Sequence, residues 1–125
     1  MIIGLGMDLI EVSRFETELR DRGDGLIEEV LLPSEIAYCR DKRRACPYYA
    51  ARFAAKEALF KALGTGMTGG MSWHDAEVLR DGKGRPSLAL TGETLKVAGE
   101  MGVRKVSVSL THSDEYAAAV VTLED

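Results

Sequence analysis

Cysteine, histidine, long apolar runs and excess positive charge are all scarce in this chain. The two cysteines among 125 residues, Cys39 and Cys46, lack CxxC spacing, and nothing at the N-terminus reads as a signal peptide. Free thiols in a reducing cytoplasm are the expectation. The two histidines, His74 and His112, form no His/Cys cluster with zinc spacing. Neither sits near a nucleophile elbow, which removes a serine triad. No apolar stretch approaches the roughly 20 residues that a membrane-spanning helix needs. A net charge of −4 argues against general nucleic-acid binding, which requires a basic face to meet phosphates. The most basic stretch, Arg40-Asp-Lys42-Arg43-Arg44, reads as solvated charge. Repeats, low-complexity segments and linkers are absent. The glycine-rich run Gly64–Gly70 lacks the Gly-Lys-Ser/Thr ending of a P-loop and the strand–turn–helix order of a dinucleotide-binding motif.

What is present points to one domain over residues 1–125, with an apolar fraction of 46% that suits a soluble globular protein. Residues 47–66 (PYYAARFAAKEALFKALGTG) dominate it. They are strong helix formers, with Pro47 suited to a first helical position and Gly64 to the stop. On a wheel of about 100° per residue, Ala51, Ala54, Ala55, Ala58 and Ala62 gather on one side. Arg52, Lys56 and Glu57 fall on the other arc, interleaved with Phe53, Leu59, Phe60 and Leu63. Charges wedged among phenylalanines are costly unless they meet a counter-charge or a ligand.

The remaining pattern predicts a buried strand over Met1–Gly6, which delivers Asp8 near its carboxyl end. Ser13 and Glu16 read as a capping box for a helix carrying Arg14, Phe15 and Leu19 and ending near Gly23. Short helices follow over Leu26–Leu31 and from Pro33-Ser34-Glu35. A strand over Trp73–Arg80, the turn Asp81–Gly84 and a strand over Pro86–Leu90 form a hairpin. Thr91 is placed to cap a helix over Glu93–Met101, closed by Gly102. Val103–Thr111 alternates as a strand, with His112 in phase with its apolar set, and Tyr116–Leu123 is a last strand rich in small residues. The outline is an α+β domain with a mainly antiparallel sheet packed against the long central helix.

Taken alone, Asp8 reads first as a turn acceptor, and Glu57 with Lys61 as an i,i+4 surface pair. Taken together, Asp8, Glu57, Arg52, Lys56 and Lys61 are two carboxylates and several cations. Mg²⁺-assisted phosphoryl transfer uses such a set, because Mg²⁺ takes few protein carboxylates and cationic side chains hold the remaining phosphate charge. The residues by themselves leave both readings open.

A resemblance narrows the choice. Gly6-Met7-Asp8, then Arg52-Phe-Ala-Ala-Lys56-Glu57-Ala-Leu-Phe-Lys61-Ala-Leu-Gly64-Thr65-Gly66, Asp81-Gly-Lys-Gly-Arg85-Pro86, Ser107-Val-Ser-Leu-Thr111-His112-Ser113 and Tyr116-Ala-Ala-Ala occur in order. Together they resemble the holo-acyl-carrier-protein synthase family of 4′-phosphopantetheinyl transferases over essentially the whole chain. Met7 stands where a branched aliphatic residue is usual, and residues 20–47 follow no recognisable family pattern. The resemblance implies the 4′-phosphopantetheinyl transferase fold. It also implies transfer of 4′-phosphopantetheine from coenzyme A to a serine of an apo acyl carrier protein, giving 3′,5′-ADP, in fatty-acid biosynthesis. It further implies Asp8 and Glu57 as Mg²⁺ ligands, Lys61 on the diphosphate, and Asp8, Glu57 and Lys61 as the catalytic group. Arg52, Gly64, Thr65, Gly66, Arg85, Pro86, Thr111 and His112 are implied around the nucleotide, with a strand-end core histidine as the alternative for His112. Arg14 is the implied docking contact for an acidic carrier, and the expected assembly is a homotrimer with sites at subunit interfaces. The competing expectations are the same chemistry on polyketide or peptide-synthesis carriers, or a non-catalytic coenzyme A-binding module.

Overall fold

Two glycines fix how the main elements meet. The computed structural model describes residues 1–125, and its first strand, β1 (Ile2–Glu11), carries Gly4 and Gly6 on the face turned toward α4 (Cys46–Leu63). A Cβ on Gly6 would lie 1.9 Å from the Ala58 carbonyl oxygen and 2.7 Å from the Ala62 nitrogen; one on Gly4 would lie 2.5 Å from the Ala62 carbonyl oxygen. Strand and helix backbones thus touch directly, glycine against the alanine side of the helix, as the alanine stripe predicts. Gly6→Ala is therefore expected to lower stability by about 1–3 kcal/mol or more through overpacking, read as a fall in the urea midpoint. It should also impair the site, since Asp8 lies two residues farther along.

β1 pairs antiparallel with β5 (Tyr116–Glu124), which pairs antiparallel with β4 (Lys105–His112), giving the sheet order β1-β5-β4. Ala117, Ala119, Val121 and Leu123 of β5 are buried. The opposite face carries Leu5, Met7 and Leu9 of β1, each more than 60% exposed, and Val120 of β5 beside Met7. β2 (Ala76–Arg80) and β3 (Pro86–Leu90) form a separate hairpin. No helix is long and apolar enough to cross a membrane.

α4 runs through two apolar clusters. Its C-terminal part, Ala54–Leu63, packs with the sheet, the hairpin and Ala98 of α5 (Gly92–Glu100). Its N-terminal part, Tyr49–Ala51, packs with Val12 and Phe15 of α1 (Val12–Arg22), with α2 (Asp24–Val30) and with Cys39 of α3 (Pro33–Arg40). Gly64 ends the helix at φ 78°, a left-handed conformation natural to glycine.

The structure differs from the sequence expectations at element ends. β1 continues to Glu11, so Asp8 lies within the strand rather than near its end. α1 follows it directly; Ser13 donates to Glu11 Oε1, and no side chain caps the helix. The segment before β2 is a 3₁₀ turn, Trp73–Asp75, and the strand starts at Ala76. Thr91 supplies no side-chain cap to α5; Asp75 Oδ2 does so from a distance, accepting from the Thr94 nitrogen at 3.3 Å and its hydroxyl at 2.9 Å.

Candidate active site

The charges of α4 go three separate ways. Lys56 has a fully buried side chain, and its Nζ donates to Glu35 Oε1 at 2.7 Å, to the Val30 carbonyl at 2.8 Å and to the Trp73 carbonyl at 3.2 Å. Burial pushes its ammonium down from the ordinary value and the Glu35 carboxylate counters this. Glu35 also accepts from the Leu32 nitrogen and the Val78 nitrogen. Lys56 and Glu35 thus tie α2, α3, α4 and β2 together and reach no solvent.

Glu57 and Lys61 lie on a different side of the helix. Lys61 Nζ donates to Asp8 Oδ1 at 2.8 Å and to the Met7 carbonyl at 3.2 Å. The Asp8 carboxylate raises the Lys61 ammonium above its ordinary value. Burial, and then the charge of Asp8, raise the half-buried Glu57 carboxyl, with Lys61 opposing. Two elements fifty residues apart in the chain thereby bring two carboxylates and one ammonium to a common place, joining Asp8, Glu57 and Lys61.

Arg52 is the third case. Its side chain is 2% exposed, yet Nε and Nη1 have no hydrogen-bond partner. The guanidinium lies over the Tyr38 ring at 4.2 Å, with Lys42 Nζ at 4.3 Å and the Arg80 guanidinium at 5.6 Å from the same ring centroid. A groove of about 190 Å³ opens here, lined by Ser34, Tyr38, Arg52 and Arg80 among others. His112 lies beyond it at the end of β4, linked through Tyr48: its ring centroid is 4.4 Å from that of Tyr48, which packs edge-on against Tyr38. His112 is exposed, which removes the core-histidine alternative. Partial burial, then the charges of Arg52 and Arg80, hold its imidazolium below the ordinary range. Several cations around unpaired N–H donors form a cradle suited to a phosphate.

The other nucleotide candidates are spread out. Gly64-Thr65-Gly66 lies just beyond Lys61, with the Thr65 hydroxyl bonded to the Gly66 carbonyl. Arg85 and Pro86 are at the end of the hairpin, where Asp81 Oδ1 accepts from the Arg85 nitrogen. Thr111 is exposed on β4. Arg14 is exposed without an ion pair and lines a shallow groove of about 210 Å³ with Leu9, Phe15 and Phe53. Arg44, by contrast, is committed to Glu16 and Asp114. Both cysteines are inert, pushed up to about 11 chiefly by burial.

Tyr38, Tyr48, Arg80 and Glu35 are the residues that reading the sequence passes over. Lys42, assigned there to solvated charge, covers the Tyr38 ring. Only Glu35 carried a signal, as an acidic residue in a helix first turn, and that signal concerned capping alone.

The donor set is compatible with a hard divalent cation. Asp8 and Glu57 supply oxygen only, and nowhere do three His, Cys, Asp or Glu side chains converge into an all-protein cage. Mg²⁺ accepts so sparse a set, because water and phosphate oxygens complete its octahedron.

Residues 4–121 match the 4′-phosphopantetheinyl transferase superfamily. The chain is 46% identical over 125 residues to a protein of Koribacter versatilis named holo-[acyl-carrier-protein] synthase, with all of both chains covered. Its structure is similar to that of the holo-[acyl-carrier-protein] synthase from Neisseria meningitidis, at a TM-score of 0.91 and 30% identity with both chains fully covered. It is also similar to the Helicobacter pylori enzyme of that name in complex with coenzyme A, at a TM-score of 0.83 and 30% identity over 96% of this chain and 99% of that one.

Proposed function

The chain belongs to the 4′-phosphopantetheinyl transferase superfamily, and from that premise we infer that it moves 4′-phosphopantetheine from coenzyme A onto a serine hydroxyl of an apo acyl carrier protein. The observation that carries this reading is the Asp8–Lys61 contact with Glu57 beside it. It is a phosphoryl-transfer set with no nucleophile of its own, and the nucleophile arrives on the carrier.

In the reaction, the serine oxygen bonds to the phosphorus that bears pantetheine. The bond from that phosphorus to the bridging oxygen breaks, and 3′,5′-ADP leaves. Asp8 and Glu57 would hold Mg²⁺, which when bound neutralises diphosphate charge. Lys61 is assigned to the charge that develops on the bridging oxygen. Glu57 is the candidate to accept the serine proton, with Asp8 behind it; burial and Asp8 already raise its basicity. The Arg52–Tyr38–His112 cradle suits the 3′-phosphate of the nucleotide, and Gly64–Gly66, Arg85, Pro86 and Thr111 are assigned to the rest of it. Arg14 is assigned to the acidic carrier, and fatty-acid synthesis in the cytoplasm is the process served.

One chain does not bring these parts together. Arg52 and Lys61 are nine residues apart on α4, about 14 Å along the axis and about 180° around it. A site that needs both sets is completed by a second copy, and a closed ring of three is the assigned assembly. The open apolar sheet face of Leu5, Met7, Leu9 and Val120 supports such an interface.

The test is a mass measurement. Apo carrier protein should gain one phosphopantetheine only with this protein, coenzyme A and Mg²⁺ together. Fatty-acid, polyketide and peptide-synthesis carriers should all be offered; no gain on any of them overturns the reading in favour of a binding module.

A further inference from the structure

Lys61 does not point freely at solvent, where an incoming diphosphate would meet it. Its ammonium is seated between Asp8 Oδ1, at 2.8 Å, and the Met7 carbonyl oxygen, at 3.2 Å. A cation held by a carboxylate and a backbone carbonyl occupies an all-oxygen cradle, the kind of position a hard divalent ion takes. The two partners differ in freedom: Asp8 is 15% exposed and sits in a paired strand, whereas Lys61 is 54% exposed at the end of a flexible stem. An ion pair whose ammonium is this exposed is readily exchanged. An ammonium left there would repel a second cation brought to the same carboxylate.

We propose that Lys61 occupies Asp8 in place of the metal until coenzyme A draws it away, so that this one side chain adds to the positive coupling between the divalent cation and coenzyme A. The coenzyme A diphosphate offers Lys61 a stronger partner and frees the Asp8 oxygen for the ion. Before coenzyme A arrives, the same lysine neutralises Asp8 and lessens its repulsion of Glu57. Because coupling is reciprocal, the ion tightens coenzyme A by the same factor. The inference rests on Asp8 and Glu57 as the metal ligands.

Mn²⁺, titrated into the full-length protein and followed by the electron paramagnetic resonance of the free ion, reads this without turnover. Without coenzyme A, Lys61→Met should bind Mn²⁺ about threefold to tenfold more tightly than wild type. Coenzyme A should then tighten Mn²⁺ binding by a smaller factor in Lys61→Met than in wild type. Lys61→Gln, which keeps a polar side chain without the charge, should behave alike. A uniform gain with and without coenzyme A would show only general charge repulsion and would overturn the proposal. So would unchanged or weaker Mn²⁺ binding by the coenzyme A-free variants. Asp8→Asn separates the two levels: if it leaves wild-type Mn²⁺ affinity unaltered, the metal assignment itself falls and the proposal with it.

Discussion

Lys56→Met should cost about 3–5 kcal/mol of folding stability, the largest loss expected from any single change in α4. Methionine matches the lysine stem in length, so little packing is lost. What is lost is the counter-charge of Glu35, whose side chain is also wholly buried. The Val30 and Trp73 carbonyls lose a donor at the same time. The carboxylate would keep only its two backbone N–H donors, from Leu32 and Val78. Removing one member of a buried pair costs more than the pair contributes, because the survivor stays charged in a poorly polarisable surrounding. A double-mutant cycle with Glu35→Gln checks the cause. The double variant should be more stable than the two single losses predict, since it leaves no lone charge in the interior. Additive losses in urea midpoints would mean that the two side chains are not coupled.

That pair marks where the sequence stopped being legible. The long helix could be read because its cause is local: helix formers, Pro47 and Gly64, with alanines on one side. The alternation of β4 and the Asp81–Gly84 turn are equally local, and both were legible. The sequence pattern shortens β1, because its glycines look like breaks. They are instead the points where α4 touches it, a fact about a partner fifty residues away. Glu35 could be read as a helix-start residue, and it does accept from the Leu32 nitrogen. Its bonds to Lys56 and Val78 span 21 and 43 positions and leave no trace in spacing. The helical wheel groups Arg52, Lys56 and Glu57 on one arc, and the structure gives them different surroundings: a groove, the interior and the half-buried neighbourhood of Asp8. The grouping of Asp8 with Glu57 and Lys61 comes from the family resemblance more than from spacing, since Asp8 alone reads as a turn residue; the structure brings the three side chains together. Tyr38 and Arg80, which line the groove with Arg52, have no local pattern to betray them.

Glu57→Gln should reduce carrier modification about 10³-fold at saturating coenzyme A and Mg²⁺, equivalent to about 4 kcal/mol in the barrier. The substitution preserves size and keeps one oxygen. It removes the negative charge that would hold the ion, and the basicity that would accept the serine proton. Stability should move the other way. Burial, then the charge of Asp8, raise the Glu57 carboxyl in the folded chain, while Lys61 only partly opposes them. A carboxyl whose folded value is raised favours the fold at pH below its unfolded value, and that advantage is lost as pH rises through the folded value. At neutral pH the ionised group therefore works against folding, and Gln removes the penalty. The variant should be no less stable than wild type in urea, and relatively most improved above the acidic range. Loss of transfer with retained stability is the signature of a residue kept for chemistry. A surface partner of Lys61 would show neither effect. Transfer within about threefold of wild type, barely 0.7 kcal/mol of barrier, would remove Glu57 from the catalytic group.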